Sequence, residues 1–327
     1  MSFKPGNPYF AATLPGPARL MSGATLIVLG WTGCAARISC LGRCNERASG
    51  ATNSAEGSER VESMYFFVTD ETNVEKSKDS KFFIYGGLIF SQAQLADVSR
   101  SIEEIRGEYG FQDFDQLKFD TNCRPKHISI EGYKNAKNAV IEACAKFNVK
   151  LVVYIVHHSI ANKEKRTEFA INSVLKPFGE RFLVDNDDVG VVIIDRVPDE
   201  SGAYSVLKSR FQAGLEMPDG PARKLSRILM YATTCDGASH VSSAVDIVLG
   251  AFRFVVNSES RSGASEVPQR LLNNIVGMFY TSGEGAGKTA RNYGLIVRPV
   301  MSEIRHQPYK VEYEDLLKYL SSLIAVD

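Results

Sequence analysis

From residue 64 onward, short apolar runs alternate with stretches in which apolar residues recur every three or four positions. The short runs are rich in β-branched and aromatic residues and predict strands, whereas the helical spacing predicts amphipathic helices. This alternation is typical of an α/β domain. The predicted strands are Tyr65–Thr69, Phe82–Phe90, Leu117–Phe119, Lys150–His157, Val189–Ile194 and Arg227–Thr233. The predicted helices are Gln92–Gly107, Tyr133–Phe147, Glu164–Leu183, Tyr204–Ala213, Val241–Val256, Pro268–Tyr280 and Leu316–Ile324.

Two of these patterns indicate how the strands are arranged. Only a polar segment joins Tyr65–Thr69 to Phe82–Phe90, so we expect these strands to pair as a hairpin. Val189–Ile194 is apolar on both faces, which is typical of a strand in the middle of a sheet that is covered on both sides. We therefore expect an α/β sheet flanked by helices.

The first 63 residues differ from the rest of the chain. They contain no acidic residue before Asn45 and are rich in Pro, Gly, Ala and Thr. We interpret 1–63 as a disordered extension, or as the product of a start codon assigned upstream of Met64. The α/β domain is then 64–327, with its core at about 64–256 and helical additions over 257–327.

Two other interpretations of this segment fit less well. A secretory signal with Cys34 as a lipid-anchored residue conflicts with Trp31, where such signals have a small or aliphatic residue. A zinc site at Cys34, Cys40 and Cys44 has no nearby histidine and no usual ligand spacing.

Composition excludes several classes of protein. The 327 residues are 44% hydrophobic and 23% charged, which is typical of a globular chain and not of a disordered or fibrous one. Lys and Arg total 38, as do Asp and Glu, so a nucleic acid or other charged partner must be bound by a local patch.

Six cysteines without a Cys-x-x-Cys pair favour a reducing cytoplasm over a disulfide framework. We expect no membrane anchor, because no apolar stretch approaches about 20 residues.

The acidic residues at the ends of predicted strands are the most informative feature. Asp70 and Glu71 follow the first strand directly, and Asp195 ends the central strand. If these strands are parallel neighbours, the carboxylates meet at one edge of the sheet, where ligands of such sheets bind. Asp246, on the helix after the last predicted strand, is a third candidate. Clustered carboxylates bind hard divalent cations such as Mg²⁺ or Mn²⁺.

Each of these carboxylates also has a purely structural interpretation. Asp70 can open the polar turn that follows it, and Asp195 can cap the turn before Gly202. Ser243-x-x-Asp246 matches a helix capping box, with the carboxylate bonding back to the Ser243 amide. Spacing alone leaves both interpretations open.

Several segments together resemble a known family. They are Phe66–Thr72, Phe83–Ile89, Leu117–Phe119, Val191–Asp195 and Ser243–Gly250. In this order they are similar to the family catalogued as domain of unknown function 3800, whose members open with an aromatic strand ending in Asp-Glu and a second strand containing Gly-Gly. Asn73 stands where that family usually has glycine.

The resemblance implies a ribonuclease H-like mixed sheet whose carboxylates bind Mg²⁺ or Mn²⁺ for phosphodiester hydrolysis. It implies that Asp70, Asp195 and Asp246 are metal ligands, that Glu71 is a fourth carboxylate near them, and that Lys118 faces the site. The expected function is a metal-dependent nuclease acting on DNA or RNA, in a setting of bacterial defence or mobile-element control. The alternatives are a non-catalytic module that binds nucleic acid or protein, and a hydrolase of a small phosphorylated molecule.

The remaining motifs carry weaker functional signals. The Gly-rich segment 282–289 lacks the glycine spacing of a phosphate-binding Walker loop, and we interpret it as a connection. We interpret His157 and His158 as a solvated strand end. His240 lies close enough in sequence to Asp246 to assist proton transfer. Asp236 is an alternative to Asp246 as the third carboxylate of the cluster. The basic groups Arg223–Arg227 and Arg291–His306 are candidates for a patch that guides a phosphodiester backbone. The cysteines Cys123, Cys144 and Cys235 have no catalytic partner in the sequence.

Overall fold

The structure is a computed structural model that describes residues 63–77, 80–195, 200–217, 220–235, 237–258, 266–283 and 288–321. All of these belong to one compact unit, Glu59–Asp327. The expectations for 1–63, including those for Cys34, Cys40 and Cys44, lie outside the described residues except at Ser63.

The described elements alternate as an α/β chain. The strands are β1 (Met64–Thr72), β2 (Phe82–Ser91), β3 (Lys150–His157), β4 (Val189–Asp195), β5 (Leu215–Met217), β6 (Gly220–Arg223), β7 (Ile228–Thr234) and β8 (Leu295–Arg298). The helices are α1 (Gln92–Glu108), α2 (Ile130–Lys146), α3 (Arg166–Pro177), α4 (Leu183–Asp185), α5 (Glu200–Gln212), α6 (His240–Ser258), α7 (Glu266–Val276) and α8 (Gln307–Ser321).

Six strands form one mixed sheet in the order β7-β4-β1-β2-β3-β8. β1 and β2 pair antiparallel, as expected of a hairpin, and β2 pairs antiparallel with β3. β4 joins β1, β7 joins β4 and β8 joins β3, each in a parallel pairing. All of these strands except β2 therefore run in the same direction, and their carboxyl ends share one edge of the sheet.

The alternation of side chains along each strand produces two cores. Val68 of β1 packs in a cluster with α1, α2, α6, α7 and α8, whereas its neighbour Phe67 packs on the other face with α3. Every residue of β2 except the last is buried, because helices cover both faces of the sheet. The expectation of a sheet flanked by helices is confirmed.

The central helix of the first core is α6. Among the described helices it is the one long and apolar enough to cross a membrane by length and composition, but 61% of its apolar window is buried inside the protein. Its buried residues include Val245, Val248 and Phe252, which pack against the sheet and the neighbouring helices. The apolar character of α6 is accounted for by this packing.

Several sequence predictions need correction. β1 extends to Thr72, so Asp70 and Glu71 lie inside the strand and not after it. Leu117–Phe119 is not a strand, because its backbone lies against helices and not beside another strand. The predicted helix Glu164–Leu183 is divided by a π-helical turn after α3. The sequence prediction also missed β5, β6 and β8, which are only three or four residues long.

Candidate functional site

Asp70 and Asp195 are brought together by the parallel pairing of β1 and β4. Thr69 is in register with Ile194, and the two aspartates follow by one residue on each strand. Val68 and Ile193, two residues earlier on each strand, contact the same core cluster as α6. Because side chains alternate, both carboxylates lie on the face covered by α6. The expected convergence at one sheet edge is thus present for this pair.

Asp246 approaches the same place from the helix above. The capping-box interpretation of Ser243-x-x-Asp246 is wrong, because α6 begins at His240 and Asp246 lies in its second turn. The hydroxyl of Ser239, not that of Ser243, accepts a bond near the helix start, from the amide of Val241 at 3.0 Å. Asp246 Oδ2 instead accepts a 2.6 Å bond from the backbone amide of Phe119.

The peptide around Phe119 is held from two sides. Its amide donates to Asp246, and its carbonyl accepts a 2.8 Å bond from Nζ of Lys137 on α2. The Lys137 ammonium lies over the rings of Phe119 and Tyr133, and burial lowers its pKa. A Cβ on Gly250 would lie 2.3 Å from Phe119 Cβ, so glycine is required there for Phe119 to pack on α6. This packing joins the loop around Lys118 to α6.

Electrostatics place Asp70 at the centre of the acidic cluster. The pKa of Asp70 is raised to about 7, with burial as the largest cause and the charge of Asp195 as the next largest. The charges of Asp246 and Glu71 act in the same direction, whereas the 2.7 Å bond from the Glu71 amide to Asp70 Oδ1 lowers the pKa. The carboxyl group of Asp70 therefore keeps its proton to a higher pH than an exposed aspartate does. We name Asp70, Asp195 and Asp246 the aspartate cluster.

Glu71 lies on the opposite face of the sheet from the aspartate cluster. Its side chain shares the face of Phe67 and accepts a 3.5 Å bond from the Thr167 hydroxyl at the start of α3. Burial raises the pKa of Glu71, whereas the charge of Arg166 and the Thr167 bond lower it. Glu71 thus interacts with the cluster through its charge, with Asp195 raising its pKa, while its hydrogen bonding is directed toward α3.

The glycine pair of β2 lies directly opposite the aspartate strand. Gly86 is in register with Asp70, and Gly87 with Thr69. A Cβ at Gly87 would lie 2.1 Å from the carbonyl oxygen of Val68, so no larger residue fits. On the other face of β1, the Thr69 and Tyr85 hydroxyls are hydrogen bonded at 2.8 Å, and burial raises the pKa of Tyr85. The backbone beneath the cluster is therefore closely packed.

A cleft of about 790 Å³ opens beside Asp246. Its walls are the loop before and around Lys118 and the start of α6, and they include His240 and Ser243. Lys118 therefore faces a solvent-accessible cleft that it shares with one member of the aspartate cluster. The side chain of Phe114 at the cleft wall is fully exposed.

Asn73 directly follows β1 and adopts a left-handed backbone conformation. Its φ is 58°, in the left-handed region that glycine adopts freely and asparagine tolerates better than most residues. Its amide group donates to the carbonyl of Phe82 and to Asn257 Oδ1, both at 3.0 Å. Asn257 donates in return to Asn73 at 3.2 Å, so this pair connects β1 to the end of α6.

The chemistry of the aspartate cluster fits a divalent cation. Its donors are carboxylate oxygens, the ligands that Mg²⁺ and Mn²⁺ prefer, and the pKa of Asp70 is raised by burial first and by the charge of Asp195 next. The spacing is wider than in a closed metal site: within the described ranges, no three His, Cys, Asp or Glu side chains are close enough together to hold an ion. A bound ion would therefore have to draw these side chains together.

The other candidate residues have structural roles or lie elsewhere. His157 is buried and not solvated as expected: its Nε2 lies 2.6 Å from Glu312 Oε2 on α8. His158 lies on the other side, with Nδ1 3.1 Å from Arg166, and burial lowers its pKa to about 4. Asp236 and the middle of the Gly-rich segment, 284–287, lie outside the described residues. Cys144 is buried, whereas Cys235 is exposed.

The sequence did not indicate two basic residues that bind backbone carbonyls near the acidic residues, Arg166 at Val74 and Lys137 at Phe119. Arg166 donates a 2.9 Å bond to the Val74 carbonyl just beyond β1, and its guanidinium lies 4.2 Å from the centre of the Phe83 ring. Lys137 has no motif around it that distinguishes it from the exposed lysines of α2. One signal was present: Lys137 falls on the apolar face of the helix, three residues before Val140.

Comparisons with protein-family models, curated proteins and solved structures gave no match to this chain.

Proposed function

We propose that this chain is a metal-dependent phosphodiesterase that cleaves nucleic acid, on a ribonuclease H-like fold as in the family of domain of unknown function 3800. The observation that carries the proposal is the convergence of the aspartate cluster at the carboxyl edge of the sheet, with the pKa of Asp70 raised to about 7. Partly buried carboxylates repel one another, and a bound divalent cation stabilises their charged forms.

The topology supports the fold assignment. Three antiparallel strands, β1 to β3, are followed by β4 and β7, which add in parallel on the other side of β1. We take this sequence of pairings as support for a ribonuclease H-like sheet. Asp70 lies on β1 and Asp195 on the neighbouring β4, and the resemblance implies that both are metal ligands.

Each residue has a separate role in the proposed reaction. Asp70, Asp195 and Asp246 would hold Mg²⁺ or Mn²⁺, and in two-metal hydrolysis one ion would lower the pKa of a water while the other would stabilise the leaving oxygen. Lys118 contacts a phosphate oxygen of a strand lying in the cleft beside Asp246. Glu71 acts on the cluster through its charge and is held in place by Thr167. We infer a reducing cytoplasmic setting from the cysteine usage.

The test is cleavage of labelled single- and double-stranded DNA and RNA by the full chain, with Mg²⁺, Mn²⁺ or EDTA. Asp70→Asn and Asp195→Asn remove a charge but keep the side-chain size. Asp97→Asn, on α1 beside Arg100, is the matched control for loss of a carboxylate. We expect metal-dependent cleavage by the wild-type chain and by Asp97→Asn, and a loss of at least 100-fold in the two cluster variants.

Three results would contradict the proposal. Full activity of Asp195→Asn would place the reaction elsewhere. Binding of oligonucleotides without any cleavage by the folded wild-type chain would favour a non-catalytic binding module. Hydrolysis of nucleotides or other small phosphate esters, with no cleavage of polymers, would favour the small-molecule hydrolase.

A further inference from the structure

A groove of about 660 Å³ runs along the solvent face of α3, on the side of the sheet opposite the aspartate cluster. The residues of α3 that line it recur at helical spacing and form one stripe. They are Lys165, directly before the helix, and then Glu168, Phe169, Asn172, Ser173, Lys176 and Pro177. The far wall comes from Arg181 and from the segment around Asn292 and Arg298.

The cations of this groove are available to a ligand. Within the part of the chain that the structure describes, no carboxylate lies within ion-pair distance of Lys165, Lys176, Arg181 or Arg298. The basic group Arg223–Arg227 differs, because Arg223 pairs with Glu180 at 3.0 Å and Arg227 with Asp187 at 2.8 Å.

The two carboxylates in the groove share one buried arginine, so they are outnumbered by the cations around them. Glu168 and Glu216 both pair with the guanidinium of Arg210, whose side chain is 1% exposed. Arg210 also donates to Asn172 Oδ1 at 2.7 Å. The groove as a whole is therefore positively charged, although the chain carries no net charge.

The two arginines of the far wall are fixed in position by Asn292. Arg181 donates a 2.7 Å bond to the Asn292 carbonyl and lies 4.2 Å from the centre of the Tyr293 ring. Arg298 donates to Asn292 Oδ1 at 3.0 Å. Because they are already ordered, these arginines lose little conformational entropy when they bind an anion.

Phe169 adds an aromatic surface among these charges. Its side chain is 56% exposed in the middle of the stripe, one helical turn after Lys165. A cationic groove that follows a backbone, with an aromatic ring on which bases stack, is the usual construction of a single-strand binding site. A duplex hides the faces of its bases, so an exposed phenylalanine favours an unpaired strand.

The groove also begins near the carboxyl edge of the sheet. Lys165 directly precedes Arg166, which binds the Val74 carbonyl at the end of β1, and Thr167 bonds to Glu71. From there α3 extends for 12 residues, about 18 Å at 1.5 Å per residue. A strand in the groove thus passes close to the strand ends that carry Asp70 and Asp195.

We propose that the α3 groove binds a single-stranded segment of nucleic acid, with Lys165, Lys176, Arg181 and Arg298 on phosphates and Phe169 stacked on a base. The claim that the bound nucleic acid is also the substrate rests on the proposed function. The binding itself is independent of cleavage.

The test measures binding by fluorescence anisotropy of a labelled single strand of about 20 nucleotides and of the matching duplex, in EDTA. All proteins are full chains carrying Asp70→Asn, so that cleavage does not interfere. Lys165→Ala/Lys176→Ala is compared with Lys134→Ala/Lys146→Ala, which removes two exposed lysines from α2 on the other face of the sheet.

We expect the groove variant to bind the single strand at least tenfold more weakly, and the α2 variant to bind normally. Two lost phosphate contacts should also reduce the slope of log K against log salt by about 1.4 between about 50 and 200 mM salt. Phe169→Ala should weaken single-strand binding about tenfold while leaving the salt slope unchanged.

Equal binding by the two double-lysine variants would overturn the proposal, and so would a groove variant that loses duplex and single-strand binding to the same extent. If the groove variant lost binding of a labelled acidic peptide but bound oligonucleotides normally, the proposal would be overturned in favour of a protein partner. Metal-dependent cleavage that persists without groove binding would overturn the groove alone. Groove binding without cleavage in the wild-type chain would overturn the nuclease alone.

Discussion

The backbone amide of Phe119 donates a 2.6 Å hydrogen bond to Asp246 Oδ2, across 127 positions of the chain. This bond fixes the carboxylate in the second turn of α6 and directs it toward the sheet edge where Asp70 and Asp195 lie. It also fixes Lys118, the residue before Phe119, in the wall of the cleft. One contact therefore orients a member of the aspartate cluster and a basic residue together.

The close packing of Phe119 on Gly250 predicts a specific sensitivity. Gly250→Ala would place Cβ 2.3 Å from Phe119, and displacing the ring costs about 1–3 kcal/mol of the free energy of unfolding. We also expect metal-dependent cleavage to fall, because Asp246 loses its hydrogen-bond donor. Gly107→Ala, in open space near the end of α1, is the control, and should stabilise by about 0.5–1 kcal/mol. Urea unfolding measures both, and a neutral Gly250→Ala would refute the packing argument.

Two substitutions at Asp246 separate its structural role from its proposed catalytic role. Asp246→Ala leaves the Phe119 amide without an acceptor, which costs about 1–3 kcal/mol. Asp246→Asn retains an oxygen for this bond, so its free energy of unfolding should stay within about 1 kcal/mol of the wild-type value. Both variants should lose metal-dependent cleavage. If Asp246→Asn cleaves normally, Asp246 has a structural role only.

The raised pKa of Asp70 predicts that stability depends on pH. The carboxyl group titrates near 7 when folded and near 3.9 when unfolded, so the folded state favours the proton. Its contribution is fully present below pH 4 and is lost as pH rises to about 7. In EDTA, Asp70→Asn should therefore be more stable than the wild-type chain at pH 8, by roughly 1–4 kcal/mol, but not at pH 4.

Thermal unfolding at the two pH values, with Asp97→Asn as control, tests this expectation. Adding Mg²⁺ at pH 8 should raise the melting temperature of the wild-type chain and leave that of Asp70→Asn nearly unchanged. A difference between the two proteins that is the same at pH 4 and pH 8 would show that Asp70 does not titrate in this range.

Asn73 should tolerate glycine better than alanine. Asn73→Ala loses the bonds to Phe82 and Asn257, and alanine tolerates the left-handed region less well than asparagine, so the total cost is about 2–3 kcal/mol. Asn73→Gly loses the same bonds without the backbone strain, at about 1–2 kcal/mol. Denaturant unfolding gives the order of the two variants, and a more stable alanine variant would contradict the role of the positive φ.

The acidic pattern of the sequence selected three carboxylates that the fold brings near one another. It selected Asp70, Asp195 and Asp246, which influence one another in the folded chain. It did not indicate that Glu71 faces α3, because the prediction ended the strand at Thr69 and so placed Glu71 in a loop. Once β1 is extended to Thr72, side-chain alternation alone directs neighbouring carboxylates to opposite faces.

The sequence determined the elements whose hydrophobic period is strong. β3 has the predicted bounds, and α1, α6 and the hairpin of β1 and β2 lie within a few residues of theirs. Short strands were not predictable, because four residues such as Leu295–Arg298 carry too little pattern and become a strand only by pairing with β3.

Tertiary structure alone decided the contacts between distant segments. No local pattern states that Phe119 packs on Gly250, that Lys137 binds the Phe119 carbonyl, or that the groove along α3 is completed by Asn292 and Arg298, more than 100 residues later. The physical reason is that periodicity reports which side of an element is buried, whereas the partner buried against it depends on how the whole sheet and its helices pack.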